Sequence, residues 1–436
     1  MITPAGGFPH RGSLAAFRHR GFTLFWIGAL ISSTGTWLGN LTVPYVLYQQ
    51  TDSAVWVGLA AAAQFGPAFV LAPLGGCLAD TVDRRVLLMW TQAGLGLVAV
   101  AMWIQWSVGA HEPALLLVLV TVFGVLNGLN NPAWQSLVND LVPREDVLSA
   151  VTLNSLQFNL ARAVGPAVAG VLLATLGASW AFLLNAVSFV VVVVTLAFVR
   201  QHRSRVRTST GRGFFVQWRD AVRYMAGSSP MLLAIGLCCL VGLLGNPVFN
   251  LTVVFAETVY DTDAIGLGVL TAALGVGAVL FALAGLLRRG GPLSFARRII
   301  LAITALGLAL VAMGAAPGYG LGVLAAVGVG AAFLASFAAL NSVIQLLAPD
   351  GLRGRVLAVR HMVFSATIAL GVLLGGVLTD VWGVRLTTAL LGAALLLAVT
   401  VMILVPVLVP GAAGAAVLDR AGDDPAQDPR ERNSTR

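Results

Sequence analysis

The sequence contains no lysine, and it is poor in charge of either sign. Only 10% of its 436 residues are Asp, Glu, Lys or Arg, where a soluble domain carries roughly a quarter to solvate its outside. A chain of this length cannot cover a globular surface with so few polar groups, which excludes an ordinary water-soluble protein and leaves lipid as its solvent. Cysteine is equally scarce. The three present, Cys77, Cys238 and Cys239, all fall in apolar runs with no CxxC pair and no His cluster. They read as small core residues, so neither a disulfide frame nor a metal site is expected, and no cofactor. No catalytic triad or phosphate loop is visible, and the chain does not read as an enzyme. Residues 1–20 are polar and irregular rather than a cleavable leader.

What is there is apolar and continuous. Hydrophobic residues make up 58% of the chain, in runs that reach the ~20 residues needed to cross a hydrocarbon core. Within lipid such runs must be helices or barrel strands, because backbone N–H and C=O groups find no water there. The runs are rich in Leu, Ala, Val and Gly and lack the alternation of a barrel strand, which selects helix. They predict twelve spans, at 22–48, 55–79, 86–107, 114–138, 148–175, 180–199, 230–256, 265–287, 297–315, 319–346, 356–379 and 384–409. The segment 410–436 mixes Asp, Glu, Arg, Pro and Gly and is expected to be disordered, as are the first fifteen or so residues.

The basic residues set the orientation. With the amino terminus in the cytoplasm, 24 of the 26 arginines fall in inside segments, Arg353, Arg355 and Arg360 among them. Arg385 falls outside and Arg162 within a span. Such a bias fixes an even span number with both ends inside and removes the need for nucleic acid to explain the net charge of +8. The lack of lysine and the Ala/Arg bias fit a GC-rich bacterium, so the inner membrane of a bacterium is the expected location. The longest inside loop separates six spans from six. The expected organisation is a cytoplasmic segment at 1–20, a bundle at 21–200, an Arg-rich linker at 201–228, a second bundle at 229–409 and the tail. A common offset of 206 residues relates Asn40 to Asn246, Pro143 to Pro349, Gly165 to Gly371, Gly170 to Gly376 and Gly177 to Gly383. Parallel six-helix repeats with the substrate site between them are one known solution for such a chain.

The loop after the second span reads Gly75-Gly76-Cys77-Leu78-Ala79-Asp80-Thr81-Val82-Asp83-Arg84-Arg85. It resembles the G-x-L-A-D-x-x-G-R-R signature of the major facilitator superfamily, with Asp83 in place of the usual glycine. The resemblance implies an all-α integral membrane fold of twelve helices in two six-helix pseudo-repeats. It also implies a cytoplasmic latch of Gly76, Asp80, Arg84 and Arg85, with Asp80 near the amino end of span eleven when that side is closed. A carboxylate is favoured there by the helix dipole. The alternative is an ordinary turn whose arginines obey the charge bias. The mirrored loop at Gly285 to Pro292 keeps only Gly285 and basic residues.

Span five carries Gly165-Pro166 and Gly170, which resemble the span-five motif of exporters in this superfamily. Small faces pack closely, and a proline removes one hydrogen bond, allowing a bend. Generic packing is the alternative. Arg162 lies beside them, and an arginine near the middle of a span costs at least ~2.5 kcal/mol unless protein, water or counter-charge answers it. It is either a cargo or gate contact or a structural side chain held by backbone carbonyls. Uncharged polar residues gather on four spans: Trp37 and Asn40; Asn127, Asn131 and Gln135 at i,i+4 spacing; Asn246 and Asn250; and Asn341. The resemblance implies that these spans line a cavity. Amides and indoles there suit a bulky amphipathic small molecule, and interhelical bonding is the alternative.

The stretches Asn130 to Gln135, Leu141 to Asp146, Asn159 to Pro166 and Pro349 to Val356 resemble the branch that includes an enterobactin exporter and macrolide efflux proteins. That branch implies a monomeric secondary active efflux transporter of a siderophore-, macrolide- or drug-like molecule, driven by protons. An importer or lipid flippase of the same fold, or a non-transporting sensor or scaffold, are the other readings. No span carries a central carboxylate, and the arginine common in span four of proton-linked drug exporters has no match in Val122 to Leu126.

Overall fold

The computed structural model describes residues 14–199, 214–287, 294–349 and 352–408, without the side chains of 72–73, 76–77, 79–81, 214–217, 286–287 and 405–408. Residues 1–13, residues 200–213 at the start of the Arg-rich linker, residues 288–293 with Arg288 and Arg289, residues 350–351 and the tail from 409 lie outside the described residues.

The described chain is helical from end to end. In order come α1 (Arg20–Thr51), α2 (Ala54–Thr81), α3 (Arg84–Ser107), α4 (Pro113–Asp140), α5 (Val147–Thr175) and α6 (Ala178–Phe198). Then follow α7 (Phe214–Gly227), α8 (Ser229–Leu240), α9 (Val248–Val254), α10 (Ala264–Leu287), α11 (Phe295–Ala315), α12 (Tyr319–Leu347), α13 (Arg353–Trp382) and α14 (Val384–Leu408). Two π turns, Val241–Gly245 and Phe255–Val259, flank α9, so α8 and α9 form one stretch crossing 31 residues. Pro247 has no N–H to give, and the wider turn before it accommodates the lost bond.

Local chemistry places the ends. The Asp83 carboxylate accepts from the N–H of Arg85 at 2.8 Å and of Val86 at 3.2 Å, capping α3. The residue that departs from the family signature thus starts a helix. Pro113 occupies the first turn of α4, where its missing N–H costs nothing. Gly177 and Gly383 turn the chain with φ of 81° and 80°, values a side chain resists.

Eleven helical stretches among the described residues are long and apolar enough to cross a membrane. The first helix has the length, 32 residues, but Ser32, Ser33, Thr34, Thr36, Asn40 and Gln49 dilute its hydropathy. Several of its hydroxyls answer themselves: Thr34 and Thr42 each donate to the carbonyl four residues back at 2.8 Å. The outward faces are apolar. Trp90, Leu148 and Phe198 are 75%, 74% and 73% exposed, which water would not tolerate in such numbers and lipid does.

The chain divides into two compact units that do not follow chain order. The first comprises Met1–Thr51, Val70–Gly211 and Asp263–Ala272. There α1 packs on α5 and α6, and α3 on α4 and α6, around a core including Phe22, Phe25, Leu88, Leu137, Leu141 and Leu153. The second comprises Asp52–Phe69, Arg212–Thr262 and Ala273–Arg436. There α11 packs on α12 and α14, and α13 on α7, α8, α9 and α14.

Glycines set how closely these helices meet. A Cβ on Gly165 would strike Trp37 and the Thr34 carbonyl in the first unit, and one on Gly371 would strike the backbone of Leu243 in the second. Trp37 and Leu243 are themselves 206 residues apart, so the offset read from the sequence relates a contact as well as a residue type.

Candidate functional site

Polar side chains inside a membrane protein are either consumed by internal bonds or left accessible, and the two classes separate on α4. Asn130 is buried, and its Oδ1 accepts from Thr91 Oγ1 at 2.9 Å and from Gln92 Nε2 at 3.2 Å. Trp134 donates from Nε1 to Asn154 Oδ1 at 3.4 Å and packs on Phe25 with ring centroids 4.8 Å apart. These residues tie α4 to α1, α3 and α5. The i,i+4 row behaves differently: Asn127 is half-buried, and Asn131 and Gln135 are exposed. The row leaves its amides accessible, and the buried set ties neighbouring helices together. Half-burial also describes Asn40 on α1, Asn246 and Asn250 around α9, and Asn341 on α12.

Arg162 projects from α5 with its guanidinium carbon 5.7 Å from the centre of the Trp37 ring on α1. Trp37 in turn meets Phe158 edge-on at 6.2 Å. Gly165 permits this approach, since it lies directly against Trp37. The cation thus sits on an indole face, an attraction of ~0.5–2 kcal/mol. The helix runs unbroken through Pro166. Farther along, Gly170 abuts Ala264 and Gly268 of α10, so the small residues of span five serve two different neighbours.

At the loop after α2 the structure describes the basic half. Arg84 donates from Nη1 to Asp140 Oδ2 at 2.6 Å, and Arg85 donates from Nη2 to the Ala197 carbonyl at 2.5 Å. Both hold α3 to its neighbours α4 and α6. The side chains of Gly76 and Asp80 lie outside the described residues.

Two functional candidates escaped the sequence. Asp380, near the end of α13, caps α2: its carboxylate accepts from Ser53 Oγ at 2.5 Å and from the backbone N–H of Ala54 at 2.6 Å and of Val55 at 3.3 Å. Only pairing across 326 residues reveals that, although an Asp near a helix end is the signal. Arg360, counted with the cytoplasmic arginines, instead lies within α13 and is buried. Its helix begins at Arg353, so two turns of α13 precede it, and positive-inside counting does not distinguish a loop from a helix interior.

With the geometry described, comparison with known proteins decides the family. The model of the transmembrane secretion effector family matches residues 11–426. This chain belongs to that family, within the major facilitator superfamily. It is therefore a multi-pass membrane transporter and not an enzyme. The superfamily's helical fold is also that of its structural neighbours. A crystallised nucleoside transporter superposes with a TM-score of 0.74 at 12% identity, over 87% of this chain and 99% of that one. A bacterial homologue of the iron transporter ferroportin gives 0.66 at 19% identity, over 88% and 98%. Among sequence relatives, the staphyloferrin A transporter of Staphylococcus aureus is 27% identical over 39% of this chain, which spans 43% of that protein. The enterobactin exporter of Shigella boydii is 27% identical over 78% of this chain and 80% of its own length.

Proposed function

We propose that this major facilitator protein is a monomeric secondary active exporter in a bacterial inner membrane, with both termini cytoplasmic, moving a siderophore-like organic molecule out of the cell. The observation that carries the reading is the divided polar inventory of α4. An amide exposed to lipid is costly, so Asn127, Asn131 and Gln135 are best accounted for by water and cargo. Trp37 and Asn40 of the first unit, and Asn246, Asn250 and Asn341 of the second, are the other side chains assigned to cargo in this reading. Export and the siderophore class draw their support from the enterobactin exporter, matched over most of both chains.

In this reading α1 is a twelfth span and two six-helix repeats, at 21–200 and 229–409, rock against each other about the 206-residue pseudo-repeat. The shared glycine contacts support it. Arg162 on Trp37 reads the cargo or gates its path. Gly165, Pro166 and Gly170 let span five bend during the exchange. Asp80, with Gly76 and the anchored Arg84 and Arg85, closes the cytoplasmic side, and protons drive the cycle. The test is accumulation of labelled enterobactin in inverted vesicles under an imposed proton gradient. The expected result is uptake that collapses with an uncoupler and slows in Asp80→Asn. Uptake only by right-side-out vesicles would establish import instead.

A further inference from the structure

Guanidinium groups stay charged at any accessible pH and bring five N–H donors that want oxygen acceptors. Inside a membrane they need an answer from protein, water or ligand. Arg360 on α13 is only 7% exposed, and the groups it meets there are an aromatic ring and a thiol. Its guanidinium carbon lies 4.8 Å from the Phe337 ring centre on α12. The Cys238 sulfur on α8 is within hydrogen-bonding reach, and a thiol is a weak acceptor. Among the described residues no group accepts from Nε or Nη1, and no carboxylate pairs with the side chain. One turn on, Phe364 packs against Phe337 with centroids 5.0 Å apart. A cation and two rings thus share one corner of the second unit, the cation lacking a strong acceptor and the rings offering flat apolar surface. The position 206 residues earlier is Asn154, so the charge has no counterpart in the first half of the chain.

We propose that Arg360 binds an oxyanion of the cargo, a carboxylate carried on an aromatic or similarly flat apolar body, which Phe337 and Phe364 hold. The assignment rests on the transport reading and names the class of molecule carried. It explains why a buried charge is retained where a neutral side chain would be easier to fold.

The test is binding, independent of transport. The full chain in phosphatidylcholine nanodiscs is titrated with naphthoate and with its uncharged isostere naphthamide. Naphthoate is expected to bind about tenfold or more tightly than the amide, as a charge-assisted hydrogen bond provides. Arg360→Gln abolishes that preference, bringing naphthoate down to the level of the amide; Arg360→Lys, which keeps charge without the planar fork, retains part of it. Without ligand, Arg360→Gln melts at or above the parent temperature, because a buried charge lacking a strong acceptor has been removed. Equal naphthoate binding by Arg360→Gln, or a lowered melting temperature as a structural arginine gives, overturns the proposal. So does naphthoate displaced by adding phosphatidylglycerol, which assigns the site to lipid headgroups. Failure of enterobactin accumulation with the naphthoate preference intact overturns the siderophore-export reading and leaves the anion site to a transporter of another cargo.

Discussion

The carboxylate of Asp380 accepts the backbone N–H of Ala54 at 2.6 Å, so the end of α13 caps the beginning of α2. The first four N–H groups of a helix have no partner within it. Here a residue from the far half of the chain supplies one, and Gly376 one turn earlier lets the backbones close, since a Cβ there would strike the Ala54 carbonyl.

Asp380→Ala is expected to cost about 1 kcal/mol, as helix caps do, and Asp380→Asn less, because one acceptor remains. Thermal unfolding of the purified protein in detergent checks this. Equal melting temperatures for parent and alanine variant would show that the cap contributes nothing.

The Arg84–Asp140 pair is 2.6 Å long with side chains 20% and 14% exposed, more sheltered than a surface ion pair. A double-mutant cycle of Arg84→Ala and Asp140→Asn is expected to return a coupling of about 1 kcal/mol that persists in high salt. Additive effects would reduce the pair to a surface contact.

Glycine contacts differ in what they meet. A Cβ on Gly371 collides with the backbone of Leu243, whereas one on Gly94 meets only the end of the Leu126 side chain, at 3.0 Å. Gly371→Ala should therefore destabilise by about 1–3 kcal/mol, as overpacking does, and Gly94→Ala by much less. Comparable losses at both sites would contradict the packing described for α13.

At Arg162 the planar face is the point. Arg162→Lys keeps the charge but stacks less well on Trp37, and is expected to slow vesicle transport; Trp37→Leu should do the same. If the two act as a unit, the double variant is little worse than either alone. Multiplying defects would separate their roles.

Tyr224 of α7 donates its hydroxyl to the Leu347 carbonyl at 2.6 Å, docking α7 onto the end of α12. Burial pushes the phenol up from its ordinary value near 10. A raised folded value means the contribution is complete below pH ~10 and declines above it. Tyr224→Phe should cost about 1 kcal/mol throughout the neutral range, and its melting temperature should converge on the parent's only in strong alkali.

Much of the fold was legible because lipid simplifies the problem. Helix existence followed from apolar length, and the described helices α2 to α6 and α10 to α14 begin and end close to the predicted spans. The exception is instructive: α1 covers the span read at 22–48, yet its hydroxyls and amides keep it below the hydropathy of the others. The π turns around α9 were not foreseen, since Pro247 announces a lost bond without saying how the turn will widen. In the site, the i,i+4 amide row on α4 was visible as a pattern, but Asn130, one residue from it, proved to be internal glue. A side chain's rotation about its helix decides that, and periodicity alone does not distinguish an accessible face from one answered by Thr91 and Gln92.

The sequence by itself determined that this chain is a helical membrane protein and, through the loop from Gly76 to Arg85, pointed to its superfamily. Those conclusions depend on local quantities: apolar length, charge count and a contiguous motif. Only the tertiary structure decided which charges do what. It set Arg84 on Asp140, Asp380 on the start of α2 and Arg162 on Trp37. It also moved Arg360 from an inferred cytoplasmic rim to a buried corner beside Phe337. Each of these depends on partners dozens to hundreds of residues apart, brought together by helix packing that small residues such as Gly165 and Gly376 permit. The lack of lysine that marks the sequence sharpens the contrast: every fixed positive side chain is an arginine, and only its neighbours distinguish one paired with a carboxylate, as Arg84 is, from one resting on a ring, as Arg162 and Arg360 are.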